Sequence, residues 1–230
     1  MWRSLIWKEW REQRWKLGFG CVLLMAFTFV GLRTRIMPDE GIVGMLTFFG
    51  AILLPVLNGM GLVAAERDEG SLQTLLRLPI SPRRIFLVKT AMGAFVAVAP
   101  FLACAVIALV IAGGREMSGL KLVALFVLAA GTAIAVFVWV SVAGVRQPTE
   151  ARAGVAGIAI FGLWGLGIMV VAIVTNNPLN WILFASPVGL LALTGPVDVK
   201  AGIVLLQIAI VVVLWFWGAW RFARPMKNRE

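Results

Sequence analysis

The charged residues that could form a functional site are concentrated in one polar insert between Ala64 and Lys89. The insert reads AAERDEGSLQTLLRLPISPRRIFLVK, holds three acids and five bases, and lies between two apolar stretches. The sequence has no His, and its two cysteines, Cys21 and Cys104, fall in apolar stretches as expected of small core residues. It contains no paired carboxylates, Cys/His cluster or phosphate-binding loop. We therefore expect no catalytic residue, metal site or cofactor in this chain.

The elements around the insert are predicted to be membrane-spanning helices. The sequence is 61% hydrophobic, with a mean hydropathy of +0.95, whereas ordinary globular domains are about 45–50% apolar. Uncharged runs of about 20 residues are typical of transmembrane helices. The predicted fold is therefore an all-α integral membrane domain with six spans: Leu17–Leu32, Ile42–Ala64, Thr90–Gly113, Leu122–Val145, Ala153–Val174 and Ala201–Trp220.

The distribution of basic residues predicts the orientation of these spans. The net charge of +10 would favour nucleic acid in a soluble protein, but basic residues are also retained on the cytoplasmic side of membrane spans. Six spans place 16 of the 21 Lys and Arg residues on the side that holds both termini and the insert. We therefore expect both termini and the insert to be cytoplasmic, and we expect no nucleic-acid partner.

Two further segments flank the predicted spans. Residues 1–16 carry Trp2, Ile6 and Trp10 at four-residue spacing among basic residues, which is typical of an amphipathic helix in the headgroup layer. A basic start also fits a signal peptide, but no small-residue cleavage site follows Leu32, so we expect an uncleaved span and one transmembrane domain over residues 1–230. Asn177–Pro178, Ser186–Pro187 and Gly195–Pro196 break the apolar segment 176–195 into two short helices, which we expect to dip into the outer leaflet.

Within the insert, residues 66–81 are predicted to form a short amphipathic helix. Acids are unfavourable at a helix C-terminus and favourable before a new helix. Gly70 breaks the chain path, Ser71 can cap, LQTLLRL (72–78) forms about two turns, and Ser81–Pro82 restarts a helix. An apolar ridge flanked by charge fits a groove on a partner protein, although a helix lying on the lipid surface would show the same pattern.

The insert resembles the segment after the second span in type-2 ABC transporter permeases. There an acidic residue is followed by Gly-Ser/Thr, a Leu-rich stretch, P-x-S and a Lys that begins the next span. The matching residues are Glu66, Gly70, Ser71, Leu75, Leu76, Pro79, Ser81 and Lys89. The amphipathic start, the six spans and the broken outer segment are similar to the same family.

This resemblance implies a function. In that family the insert is the coupling helix, which docks on a separate ATP-binding subunit and transmits its closure to the spans, while two permease halves pair. It implies an ABC ATPase partner that carries ATP and Mg²⁺, a second permease half with a homodimer favoured over a heterodimer, and a prokaryotic inner membrane. The residues expected to bind the ATPase are Glu66, Arg67, Asp68, Glu69, Gly70, Ser71, Leu72, Leu75, Leu76, Pro79, Arg83 and Arg84.

Other functions stay open at this point. A non-transporting scaffold or regulator that recruits an ATPase would use the same motif. A secondary transporter or channel is disfavoured because no charged residue lies inside the six spans. A membrane enzyme is disfavoured by the missing catalytic groups. The sequence does not indicate whether the small residues of the fourth and fifth spans pack within one chain or between chains.

Overall fold

The structure is a computed structural model that describes residues 2–34, 39–68, 70, 79–111, 119–176, 181–194 and 200–224. The secondary structure in this part of the chain is entirely helical. The helices are α1 (Trp2–Thr34), α2 (Asp39–Leu46), a π-helical segment (Thr47–Leu53), α3 (Leu54–Asp68), α4 (Pro82–Ile111), α5 (Gly119–Gly144), α6 (Glu150–Thr175), α7 (Trp181–Ala185), a 3₁₀ helix (Gly189–Thr194) and α8 (Lys200–Ala223).

Six helical stretches are long and apolar enough to cross a membrane, which confirms the predicted number of spans in the described residues. Most extend past the predicted bounds at their charged ends because the helix continues after the apolar run has ended. The six candidate spans are Arg3–Thr34, Gly44–Arg67, Pro82–Ile111, Leu120–Gly144, Glu150–Thr175 and Lys200–Ala223.

The first helix is uninterrupted from Trp2 to Thr34, so the predicted surface helix over 1–16 and the predicted span Leu17–Leu32 are parts of one helix. No proline interrupts this stretch, and the glycines at the junction, Gly18 and Gly20, lower helix stability but do not end the helix. Its 33 residues correspond to about 50 Å at 1.5 Å per residue, whereas the hydrocarbon layer is about 30 Å thick. Its first half therefore extends beyond the apolar layer.

One stripe of α1 is buried along its whole length, mainly against α4. The buried residues recur at helical spacing: Leu5, Glu9, Gln13, Gly20, Leu24, Thr28 and Leu32. The two helices run in the same direction, since Glu9 pairs with Lys89 and the Thr28 hydroxyl lies 3.3 Å from the Cys104 sulfur. Ile6, one of the residues predicted to lie in the headgroup layer, is exposed and lies off this stripe.

The second span contains a widened turn before Pro55. Proline has no backbone N–H and its ring clashes with the carbonyl of the fourth residue before it. The preceding residues, Thr47–Leu53, are π-helical, and the N–H of Leu54 donates to the carbonyl of Phe49, five residues back. The wider turn accommodates Pro55 without ending the helix. Pro100 likewise lies inside α4.

The fourth span, α5, is the centre of the bundle. It packs against α3, α4, α6 and α8, and its small residues Ala129, Ala130, Ala133 and Ala135 are buried. These small side chains let neighbouring helices approach closely, so the small residues of the fourth span pack within the chain. In contrast, α6 is largely exposed beyond its first turns, and an added Cβ at Gly162 or Gly165 would meet no atom within 4 Å.

The segment before the last span is broken into two short helices, α7 and the 3₁₀ helix, which confirms the predicted interruption. Gln207 of α8 holds this segment in place. Its Nε2 donates to the carbonyl oxygens of Phe184 and Ser186, the latter at 2.8 Å. Leu190 packs over Gly131 of α5. The first predicted helix cap, Asn177–Pro178, lies outside the described residues.

Candidate functional site

The two ends of the polar insert meet through an ion pair. Glu66 lies in the last turn of α3, and Lys89 lies in the second turn of α4. The Glu66 carboxylate Oε1 is 2.7 Å from the Lys89 Nζ. The acid and the lysine that bracket the insert in the sequence are thus in direct contact in the fold.

The amino-terminal half of α1 completes an ion cluster around this pair. The Lys89 Nζ also lies 2.6 Å from the Glu9 Oε1, and the Lys8 Nζ lies 2.7 Å from the Glu66 Oε1 and 3.3 Å from the Glu12 Oε1. We refer to Lys8, Glu9, Glu12, Glu66 and Lys89 as the ion cluster. It joins α1, α3 and α4 at one point.

The centre of the ion cluster is shielded from solvent. The side chains of Glu9, Lys89 and Glu66 are 1%, 2% and 8% exposed. A buried charge without a partner is very unfavourable, so each of these groups depends on the others. Glu66 is also placed at the unfavourable end of a helix dipole, and Lys8 and Lys89 compensate its charge there.

The ion cluster has the acidic groups that a cation site would need. Carboxylate oxygens of Glu9, Glu12 and Glu66 lie within 4.8 Å of one another. The ammonium groups of Lys8 and Lys89 contact the same three side chains at 2.6–3.3 Å. Two lysine charges therefore already offset most of the three carboxylate charges.

The ends of the other helices gather at the level of the ion cluster. The Arg67 Nη1 donates to the carbonyl oxygen of Gln147, just after α5, at 3.0 Å. Phe222 at the end of α8 stacks on Phe86 with ring centroids 5.7 Å apart. We call this end of the bundle the basic end, because it also carries Arg83, Arg84, Arg146, Arg152, Arg221 and Arg224.

Glycine ends the helix that leads into the insert. Gly70 has φ of +72°, a conformation that side chains with a Cβ adopt rarely. Its N–H donates to the Arg67 carbonyl at 3.1 Å, which closes a turn after α3. On the far side of the insert, α4 begins at Pro82, as predicted, and the carbonyl of Ser81 accepts from the N–H groups of Arg84 and Ile85.

The predicted ATPase-binding residues are therefore described in part. Glu66 faces inward onto the lysines, Arg67 is half-buried, and Gly70, Pro79, Arg83 and Arg84 are exposed at the basic end. The remaining predicted residues fall outside what the structure describes: Glu69, Ser71, Leu72, Leu75, Leu76 and the side chain of Asp68.

Sequence reasoning missed the contribution of α1 to this site. Lys8, Glu9 and Glu12 were interpreted as the polar face of a surface helix, yet Glu9 is buried and paired with Lys89. The signal available in the sequence was the four-residue spacing of Leu5, Glu9 and Gln13, which are the residues buried on α4. That spacing can be interpreted as a packed face only once the neighbouring helix is known.

The sequence matches a known protein family. Residues 6–147 match the family described as ABC-2 family transporter protein, which is more than half of the 230-residue chain. The chain belongs to the ABC-2 transporter family. The match covers the first four spans, the insert and all five residues of the ion cluster, and it confirms the resemblance seen in the sequence. Membership in this family of membrane permeases implies an ATPase partner. No curated protein matches the chain.

Proposed function

We propose that this chain is the permease of an ABC exporter, and that a separate ATPase subunit drives it through the insert between Glu66 and Lys89. The observation that carries this proposal is the ion cluster. It binds the residues that bracket the insert both to each other and to α1. A force on the insert is thereby applied to three helices together.

In the proposed mechanism, ATP and Mg²⁺ are bound by the ATPase subunit, whose closure displaces the insert. The apolar contact comes from Leu72, Leu75 and Leu76. The polar surroundings come from Arg67, Asp68, Glu69, Gly70, Ser71, Pro79, Arg83 and Arg84. Glu66 acts from inside, because its carboxylate holds the base of the insert to Lys8 and Lys89. Since buried ion pairs have strict geometry, α1, α3 and α4 tilt as a unit.

The basic end of the bundle faces the cytoplasm in this proposal. The positive-inside rule supports this orientation, since 16 of 21 basic residues belong to the segments at this end. Arg221 and Arg224 also lie over the rings of Trp217 and Trp220, at 4.6 and 3.5 Å. Aromatic and basic residues together are typical of the membrane interface. A prokaryotic inner membrane with both termini inside is the proposed location.

We further propose that the permease works as a homodimer. The exposed outer part of α6, where Gly162 and Gly165 have open space around them, offers a surface for close helix packing. The mass of the detergent-solubilised permease measures this directly, with two chains expected. Gly165→Trp is expected to give single chains, and an unchanged mass would place the contact elsewhere.

The coupling assignment is tested by Leu75→Arg. Purification of the tagged chain from its native membrane is expected to recover a soluble ATP-binding protein with ATPase activity. Leu75→Arg should remove that activity and abolish transport while membrane insertion is retained. The matched control is Ile6→Arg, which places the same charge on an exposed residue of α1 at the basic end and should retain the ATPase.

The outcomes separate the candidate roles. If Leu75→Arg keeps both the ATPase and transport, the insert is not the coupling segment. A scaffold that recruits an ATPase without transport predicts ATPase recovery but no ATP-dependent movement of any compound in reconstituted vesicles.

A further inference from the structure

A cleft near the basic end has the geometry of a lipid-binding site. It has a volume of about 330 Å³ and lies among α1, α3, α4 and the start of α6. Ligand sites in proteins usually measure about 300–1,000 Å³, so this cleft has room for a small polar head and the beginning of an apolar tail. Its lining includes Lys16, Gly20, Leu57, Asn58, Pro100 and Glu150.

The polar and apolar residues of the cleft are at different depths. Lys16 is the last charged residue before the apolar run of α1, and Glu150 is the first residue of α6. The Glu150 carboxylate lies over Gly61 of α3, which is closer to the basic end than Asn58 by three residues, or about 4.5 Å. Gly20, Leu54 and Pro100 are each about one helical turn deeper, or about 6 Å. The mouth is polar and the floor is apolar. This arrangement matches a phospholipid that enters from the bilayer with its head at the mouth and its apolar part toward the floor.

The two charges at the mouth are opposite and separate. Among the described residues neither Lys16 nor Glu150 takes part in a salt bridge, and both are exposed. An ammonium group on one side and a carboxylate on the other complement a ligand that carries a phosphate and an amine.

We propose that this cleft binds the head of a phospholipid with a primary amine, such as phosphatidylethanolamine, from the leaflet at the basic end. Lys16 contacts the phosphate as a cation, Glu150 accepts hydrogen bonds from the ammonium group, and Asn58 contacts the ester region. Exposed Phe19 and Leu57 at the rim lie along the acyl chains. This site stands whether or not the chain transports the bound lipid.

The charge complementarity predicts which lipids bind. Phosphatidylglycerol presents a phosphate without an amine, so it gains the contact with Lys16 and is repelled by Glu150. A choline head has no N–H to donate to Glu150. We expect phosphatidylethanolamine to bind about two- to fivefold more tightly than phosphatidylglycerol with the same acyl chains, the range of one partly exposed ion contact.

Native mass spectrometry of the delipidated chain with each added lipid measures this preference. Glu150→Gln is expected to abolish the preference, and Lys16→Gln is expected to weaken the binding of both lipids about two- to fivefold. Arg152→Gln removes a nearby exposed charge that does not line the cleft and should change neither. Equal binding of the two lipids by the unmodified chain, or a preference that survives Glu150→Gln, overturns the proposal.

Filling the cleft provides a test that leaves the charges in place. Leu57 lines the cleft and is 47% exposed, whereas Leu53, one turn away, is 42% exposed and does not line it. Leu57→Trp should weaken every lipid, and Leu53→Trp should weaken none. Soluble glycerophosphoethanolamine should compete poorly, and competition equal to that of the lipid would overturn the assignment to a membrane ligand.

Discussion

The Lys89 ammonium group lies 2.6 Å from the Glu9 carboxylate although 80 residues separate them in the chain. Both side chains are almost fully buried, and Glu66 contacts the same ammonium group from the other side. This relationship defines how α1 is aligned with α4. It also means that the amino-terminal half of α1 belongs to the packed bundle.

Removing one member of this pair should destabilise the chain more than removing both. Lys89→Met leaves two buried carboxylates without their shared partner, which we expect to cost about 3–5 kcal/mol. The double variant Lys89→Met with Glu9→Gln removes one of those charges and should recover part of the loss. Apparent thermal unfolding in detergent measures both. A double variant less stable than Lys89→Met alone would contradict the pairing.

Glu66 should contribute to coupling without contacting the ATPase. Glu66→Gln keeps the shape of the side chain but removes its charge, so Lys8 keeps Glu12 and Lys89 keeps Glu9. The contacts of residue 66 with Lys8 and Lys89 should weaken, because a hydrogen bond to a charged group contributes about 1.5–3 kcal/mol to stability. We expect the ATPase to remain bound while ATP-driven transport falls. Pull-down and vesicle transport assays measure the two effects separately, and loss of ATPase binding would place Glu66 on the docking surface.

The six spans were predictable because each is a long run without charge, and that signal needs no knowledge of neighbouring helices. The start of α4 at Pro82 was predictable for a similar reason. A serine followed by proline at the first helical position favours a helix start without help from other elements. The continuity of α1 was not predicted. The change in composition after residue 16 was interpreted as the end of a surface helix and the start of a span. Basic and aromatic residues over 1–16 indicated a surface helix, although nothing in that stretch ends a helix.

The ion cluster and the buried Gln207 could not be derived from the sequence, because each depends on the register between distant helices. Glu9 faces Lys89 only when α1 and α4 are parallel and in one particular register. The pattern of Trp2, Ile6 and Trp10 predicted a face in the headgroup layer and did not indicate which face of α1 packs against another helix. Here a charged residue is buried because its partner is supplied by another helix.

Gln207 should hold the interrupted segment before the last span. Its amide donates to two carbonyl groups that Gln207→Leu would leave without this donor. The Ser186 carbonyl keeps the N–H of Gly189 as a donor at 3.0 Å, so we expect a loss of about 1–3 kcal/mol from the Phe184 carbonyl. Ile208→Ala is the matched control, because Ile208 is its exposed neighbour and should have little effect. Apparent thermal unfolding measures both variants, and equal effects would show that the amide does not anchor the segment.

Two glycines predict opposite responses to the same added methyl group. A Cβ on Gly93 of α4 would overlap the ring of Phe137, which is fully buried in α5 and has no space to move into. Gly93→Ala should therefore cost about 1–3 kcal/mol through overpacking. Gly18→Ala on α1, which is not on the α6 surface proposed for the dimer, meets no atom within 4 Å and should be neutral or stabilise the helix by up to about 1 kcal/mol.

Apparent thermal unfolding of the two alanine variants in detergent distinguishes these cases. Gly93→Ala with Phe137→Leu should recover stability relative to Gly93→Ala alone, because the smaller side chain removes the overlap. If Gly93→Ala is tolerated as well as Gly18→Ala, α4 and α5 do not approach as closely as the contact at Phe137 requires. If Gly18→Ala is instead strongly destabilising, this face of α1 is not open in the way that the empty space around Gly18 indicates.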